Sequence, residues 1–284
     1  MRFWLAGAYL PPQELLDIAR AADECGFEGI TLSDHLLYPR ELRSAYPYAP
    51  DGRPPFGPDT PWPDPWVAIA AMAAVTARLR FTTNVYVAPA RDLLTVAKAV
   101  STAAVLSGGR VAAGFAAGWM REEFDATGQD FEGRGRRLDE MIPALRSLWA
   151  GEWTEVEGVG EVRISPVPTE PIPIYVGGES PAALRRAASL GDGWVANAQT
   201  VDLAEHYLER LRALRLEIGR ERVDSEAIIP LMALPDDAIY EHLSSKGLTG
   251  VIVAPWIGQE SNPSVESRIE ALRRFSSRYI GGSD

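Results

Sequence analysis

The sequence predicts an α/β protein of the (β/α)8 TIM-barrel class, with a long loop inserted after the second strand and a small hairpin before the fifth. Three observations predict it. Eight short β-rich runs alternate with longer helical patterns along the chain. Several of the runs are almost continuously apolar, as in Ile174-Tyr175-Val176 and Val251-Ile252-Val253; strands covered by helices on both faces of a parallel sheet read this way. The length of 284 residues suits one such barrel, and no linker or change of composition divides the chain, so residues 1–284 are read as a single domain.

In chain order the candidate strands are Arg2–Ala8, Gly29–Ser33, Leu79–Tyr86, Arg110–Phe115, Ile172–Gly177, Gly193–Ala196, Ala227–Ala233 and Gly250–Ala254. Helices are expected to begin near Pro12, Pro65, Asp92, Pro181, Asp236 and Ser264. The prolines suit the first helical turn, where a missing N–H costs nothing. Two further helices are marked by apolar stripes of helical period: Leu138, Met141, Ile142, Leu145, Leu148 and Trp149 form one, and Leu203, Tyr207, Leu208, Leu211 and Leu214 the other. Pro143 falls inside the first of these and is expected to kink or delay it. The stretch from Leu37 to Trp66 is rich in proline and aromatic residues and follows the second strand, so it belongs at the C-terminal face of a barrel as a lid or pocket wall. Between Gly151 and Pro171, alternating Val156, Val159, Val162 and Ile164 around Gly158 and Gly160 predict the hairpin.

Composition narrows the function classes. Hydrophobic residues make up 46% of the chain and charged residues 24%, enough for a substantial core and against disorder. A net charge of −11 without a compensating basic patch disfavours nucleic acid or an anionic membrane as partner. The lone Cys25 allows no intrachain disulfide, and neither a signal-like segment nor a membrane-length apolar run is evident, so a cytoplasmic protein is expected.

Barrel active sites are built where strands end. The second strand ends in Ser33-Asp34-His35, where alternation sends the carboxylate and the imidazole in different directions. His35 could act as general acid or base, donate a hydrogen bond to a cofactor carbonyl, or merely cap the strand end. His206 and His242 both fall in helical patterns, and no HxH or HExxH spacing occurs, so no metal site is expected. The fourth strand runs into Gly114-Phe115-Ala116-Ala117-Gly118-Trp119, whose small residues would let a flat ring or a phosphate approach the backbone. The fifth ends in Gly177-Gly178-Glu179-Ser180-Pro181. Ser180 suits an N-cap and Pro181 a first helical residue, an arrangement that serves either an anion-binding helix N-terminus or an ordinary capped turn. Glu179 has the wrong charge for an anion site and is expected to point away.

In order and spacing, these segments resemble the luciferase-like monooxygenase superfamily, particularly its branch dependent on the deazaflavin coenzyme F420. The likeness rests on Gly26-Phe27-Glu28-Gly29 leading to Ser33-Asp34-His35, then Leu106-Ser107-Gly108-Gly109-Arg110-Val111. Gly118-Trp119 with Glu123-Phe124 and Gly128 follow, then Arg134-Gly135 before a helix ending in Leu148-Trp149. Tyr175-Val176-Gly177-Gly178 and Gly191-Asp192-Gly193-Trp194 complete the set, and the likeness thins beyond Asn197. The resemblance implies a barrel that binds coenzyme F420, or alternatively FMN, in its mouth, and a homodimer. It also implies a non-proline cis peptide at Asn84-Val85 against the cofactor ring, with Asp34 touching that ring. Ala116 and Gly118 would line its approach, and the backbone around Gly177, Gly178 and Ser180 would hold its phosphate. His35 would lie near the reactive face, as the catalytic proton donor or acceptor, with Trp119 and Trp66 as walls of an apolar substrate pocket. The chain departs from the family where Ala116 replaces a frequent second glycine, and where Asp92-Leu93 follows Arg91 in place of His-Pro.

The implied reaction is hydride transfer between F420 and a small organic substrate, with reduced cofactor supplied by a separate reductase. An FMN-dependent two-component monooxygenase is the alternative within the superfamily, and a non-catalytic flavin-binding barrel the alternative outside enzymes. A Schiff-base enzyme finds no lysine on a candidate strand, since Lys98 and Lys246 fall in helical patterns.

Overall fold

The computed structural model describes residues 1–220, 225–258 and 263–281. Eight parallel strands close a barrel: β1 (Arg2–Ala6), β2 (Gly29–Leu32), β3 (Arg80–Thr83), β4 (Val111–Phe115), β7 (Ile174–Gly177), β8 (Gly193–Val195), β9 (Glu226–Pro230) and β10 (Gly250–Val253). Closure runs β1-β10-β9-β8-β7-β4-β3-β2, so each strand pairs with its sequence neighbours once the short antiparallel hairpin β5 (Thr154–Val156) and β6 (Gly160–Val162) is set aside. Around the barrel lie α1 (Leu15–Glu24), α2 (Pro65–Ala73), α3 (Leu93–Leu106), α4 (Arg121–Thr127), α5 (Arg134–Trp149), α6 (Pro181–Leu190), α7 (Val201–Glu217), α8 (Asp237–Ser245) and α9 (Val265–Tyr279). No helix among the described residues is long and apolar enough to cross a membrane.

Local chemistry sets the ends of these elements. The side chains of Asp64, Asp92, Ser180, Thr200, Asp236 and Ser264 each accept a backbone N–H at a helix start, the pairing that leaves fewer first-turn donors unsatisfied. β7 begins two residues later than expected, just past Pro173, and β9 stops at Pro230, since proline has no amide for the ladder. α5 runs through Pro143 without a break in the helix. Leu138, Met141, Ile142, Leu145, Leu148 and Trp149 are all buried, so packing on both sides of the proline outweighs the lost hydrogen bond. In α7 the buried stripe is Ala204, Leu208, Leu211 and Leu214, while Leu203 is exposed.

The barrel interior is a small apolar cluster of Trp4, Ala112, Tyr175, Val195, Ile228 and Ile252, separate from the larger core between strands and helices. Two large rings fill it. A Cβ on Gly250 would meet the Trp4 ring at 2.9 Å, and one on Gly193 would run into Tyr175. At the N-terminal end, Arg80 donates to Glu28 at 2.7 Å, to Tyr175 at 2.9 Å and to Glu226 at 3.1 Å, while Arg2 pairs with Glu226 at 3.1 Å. This ionic lattice closes the bottom of the barrel. Chemistry is left to the opposite face, where the strands end.

Candidate active site

Asp34 and His35 diverge at the end of β2, as strand alternation requires. Asp34 is buried, and both its oxygens are engaged: Arg91 donates Nη2 to Oδ1 and Nη1 to Oδ2, each at 2.8 Å, and the Val87 amide donates to Oδ2 at 3.1 Å. The guanidinium also lies over the Tyr86 ring at 4.1 Å. Burial pushes the Asp34 carboxyl above its ordinary range, and the Arg91 charge opposes that shift. Asp34 is thus a clamp on the β3–α3 turn.

That turn carries the Asn84-Val85 peptide, which is cis. Asn84 is tied on three sides: its amide donates to Leu32 O at 2.7 Å, its side chain donates to Ala196 O at 3.1 Å, and its carbonyl accepts from Ser33 Oγ at 2.9 Å. Val85 is thereby set against the ends of β4 and β7. A Cβ on Gly177 would collide with the Val85 side chain and lie 3.5 Å from that of Ala116. Gly118, with φ of +86°, lies so close to Val87 that a Cβ would approach it to 2.5 Å; its carbonyl accepts from Arg134 Nε at 3.0 Å. The structure thus gathers Asn84, Val85, Ala116 and Gly177 at the barrel mouth.

Gly178, Ser180 and Pro181 form the expected helix entry. Gly178 has φ of +104°, Ser180 Oγ accepts from Ala183 N at 3.2 Å, and the first turn of α6 contains proline but no acid. Glu179 is turned away from it, accepting from Asn197 N at 2.7 Å and Gln199 Nε2 at 3.3 Å, and hydrogen-bonded to the Tyr48 hydroxyl. The first turn of α6 therefore faces no carboxylate of its own entry segment, which is the chemistry an anion at a helix N-terminus requires.

His35 faces the long loop. Its Nδ1 lies 3.0 Å from Glu123 Oε1, which also accepts from Leu36 N at 2.9 Å, and the Glu123 side chain is only 2% exposed. The imidazole is walled by Phe56 at 4.6 Å, Trp62 at 5.2 Å and Trp119 at 5.9 Å between ring centroids. The loop is fastened on both sides of the mouth. Toward α4, Glu122 accepts from Arg43 N at 2.6 Å and Ser44 Oγ at 2.6 Å. Toward β7 and β8, Tyr48 bonds Glu179 and Tyr46 shares a hydrogen bond with the Asn197 amide.

Burial raises the Glu179 carboxyl above its ordinary value, against the hydrogen bonds that lower it. Because its folded value exceeds its unfolded one, the folded state holds the proton longer, and stability falls as pH rises between the two values. Glu179→Gln is expected to flatten this decline, so its melting temperature gains on the parent as pH rises through that window. Parallel curves of melting temperature against pH for the two proteins would contradict the assignment.

Trp66 is not part of the mouth. It lies in the first turn of α2, buried in the outer core with its ring 5.3 Å from Tyr86. Trp66, Ile69, Met72 and Ala73 form the buried stripe of that helix, so helical phase points the indole at the barrel wall. No apolar stripe of helical period marks α4, which carries the consecutive Glu122 and Glu123 that hold the loop and His35; of the two, only Glu123 has a signal in the sequence, as part of the Glu123-Phe124 pair of the family pattern.

The family model of the luciferase-like monooxygenases matches this chain over residues 4–246. The chain belongs to the luciferase-like monooxygenase family. As a member of that family it is an oxidoreductase. An uncharacterized protein of Mycobacterium tuberculosis is 35% identical over 288 aligned residues, covering 99% of both chains. The F420-dependent hydroxymycolic acid dehydrogenase of the same organism is 30% identical over 201 residues, covering 66% of this chain and 49% of its own. Among solved structures, a monooxygenase from Streptomyces bottropensis superposes with a TM-score of 0.73 at 19% identity, covering all of both chains.

Proposed function

We propose that this luciferase-like protein is a coenzyme F420-dependent oxidoreductase that moves a hydride between the deazaflavin and a hydroxyl or carbonyl carbon of a small organic substrate. The observation that carries the reading is the buried His35–Glu123 pair at the barrel mouth, beside a helix entry suited to a phosphate. The F420-dependent relative supports the choice of cofactor. Gly177, Gly178 and Ser180 would hold the phosphate, and Val85, Ala116 and Gly118 would stand against the ring. Bound there, the deazaflavin supplies a site that accepts or returns a hydride.

The protein supplies the proton chemistry. A carboxylate can only accept, so Glu123 fixes the proton of neutral His35 on Nδ1 and leaves Nε2 as the free acceptor. Nε2 can then take the hydroxyl proton of an alcohol, and Glu123 stabilises the imidazolium that results. In the reverse direction the same nitrogen returns the proton to a carbonyl oxygen. Phe56, Trp62 and Trp119 exclude water from this exchange. The protein is read as a cytoplasmic homodimer served by a separate reductase.

Parallel fluorescence titrations with oxidised F420 and with FMN test the reading. Tighter binding of F420, with anaerobic turnover of alcohols or ketones, is the expected result. Tighter binding of FMN, with turnover only in the presence of oxygen, would overturn it in favour of a two-component monooxygenase.

A further inference from the structure

Tyr9 follows β1 at the C-terminal face of the barrel. It is the third residue of the turn Gly7-Ala8-Tyr9-Leu10, which Leu10 N closes by donating to Gly7 O at 3.4 Å. Its φ is +65°, and among the described residues it is the one non-glycine residue in the left-handed region. A turn of this kind calls for glycine or asparagine at that position, because a larger side chain crowds its own backbone there. An aromatic ring held in so unfavourable a conformation points to a use for the ring. That use is not core packing, since Tyr9 is 50% exposed.

The ring touches the long loop. Its centroid lies 5.2 Å from that of Trp62, which in turn stands 5.2 Å from His35. The bonds that fasten the loop run to α4 and to the ends of β7 and β8, through Glu122, Glu179 and Asn197. On the side of β1 the loop meets Tyr9 ring against ring, a contact that parts without breaking a hydrogen bond. Exposure falls along this line, from the half-exposed Tyr9 to a His35 side chain that keeps 10% of its surface open, so the imidazole is not sealed off. The Tyr9 hydroxyl is pushed up to about 12, by burial first and then by the neighbouring Tyr46 phenol, and is uncharged at neutral pH. The gap between the β1 turn and the loop is therefore bordered by rings and a neutral hydroxyl, which select by size and shape rather than by charge.

We propose that Tyr9 sets the substrate range of the site. Its ring narrows the entrance between the β1 turn and the long loop, so that His35 is reached by neutral molecules slender at their leading end and is closed to those that are bulky there. That the admitted molecule is a substrate rests on the oxidoreductase reading above; the size limit at His35 requires no cofactor.

Acylation of the full-length protein by diethyl pyrocarbonate and by the bulkier di-tert-butyl dicarbonate, followed by peptide mass spectrometry, tests the limit. Both reagents are neutral and acylate a free imidazole nitrogen, and the exposed His206 serves as internal reference. In the parent, the preference for the small reagent at His35 is expected to exceed that at His206 by at least about tenfold, the scale on which a pocket discriminates by a methyl group or two. Tyr9→Gly and Tyr9→Asn, both of which the turn accepts, should stay folded and bring the preference down to that of His206. Tyr9→Phe keeps the ring and should keep the limit. With F420 present, the ratio of kcat/KM for pinacolyl alcohol to that for sec-butanol should rise in the glycine and asparagine variants and stay at the parent's value in Tyr9→Phe. Equal preferences at His35 and His206 in the parent, no acylation of His35 by the small reagent, an unchanged preference in Tyr9→Gly and Tyr9→Asn, or loss of the limit in Tyr9→Phe would each overturn the proposal. Absence of turnover of either alcohol with F420, with the labelling results intact, would instead overturn the oxidoreductase reading and leave the role of Tyr9 at the entrance standing.

Discussion

His35→Ala is expected to lower turnover by about 10²–10⁴-fold, the usual loss when a positioned general acid or base is removed, while the affinity for F420 changes little. The separation follows from the fold. The proposed phosphate cradle lies at the end of β7 and the start of α6, whereas His35 ends β2 and is held by Glu123 on α4. Removing the imidazole takes away the atom proposed to accept the substrate proton and leaves the end of β7 and the start of α6 intact. Glu123→Gln separates positioning from proton transfer. An amide oxygen can still accept from Nδ1, so the ring stays oriented, but the charge that stabilises the imidazolium is gone. Its turnover should fall between those of the parent and His35→Ala, with a displaced pH profile. Rapid-mixing measurements at saturating substrate, combined with a cofactor titration of each variant, read the two quantities separately. Turnover of His35→Ala equal to that of the parent would remove His35 from the chemistry.

What the sequence makes legible follows the range of the forces involved. Strand identity depends on local alternation and apolar runs, and helix starts depend on a serine, threonine or aspartate next to the chain they cap, so the barrel and most of its elements can be read directly. The divergence of Asp34 and His35 and the helix entry at Ser180-Pro181 are local too. The partners of these residues are not. Glu123 stands 88 positions from His35 and Arg91 stands 57 from Asp34, and no spacing rule connects residues brought together only by barrel closure. Trp66 shows the opposite limit. Its position at the end of an aromatic loop suggests a pocket wall, but two residues of helix are enough to hand its orientation to the phase of α2. The residues that wall His35 come from the same loop, at Phe56 and Trp62, where no periodicity announces which rings turn inward.

Breaking the Asp34–Arg91 pair is expected to have the largest effect on stability. Asp34→Asn and Arg91→Leu each leave a buried polar group without its partner, a loss of about 3–5 kcal/mol for a buried ion pair. For a chain of this size that is a fall in melting temperature of roughly 6–15 °C, measured by calorimetry. The two changes are not equivalent in function. Arg91→Leu leaves a buried carboxylate whose pKa is already raised, so the protein can relieve part of the penalty by taking up a proton, and its deficit should shrink as pH falls. Asp34→Asn keeps an acceptor oxygen but leaves the guanidinium without its counter-charge, and the guanidinium cannot give up its proton, so the deficit should persist across the same pH range. The double change to apolar residues, Asp34→Leu with Arg91→Leu, removes both charges and should recover stability relative to either single variant, while the Val87 amide still loses its acceptor at 3.1 Å. Because that amide belongs to the turn that sets Val85 against Gly177, the recovered double variant should remain impaired in F420 binding. Full recovery of both stability and cofactor affinity would show that the clamp has no part in shaping the mouth.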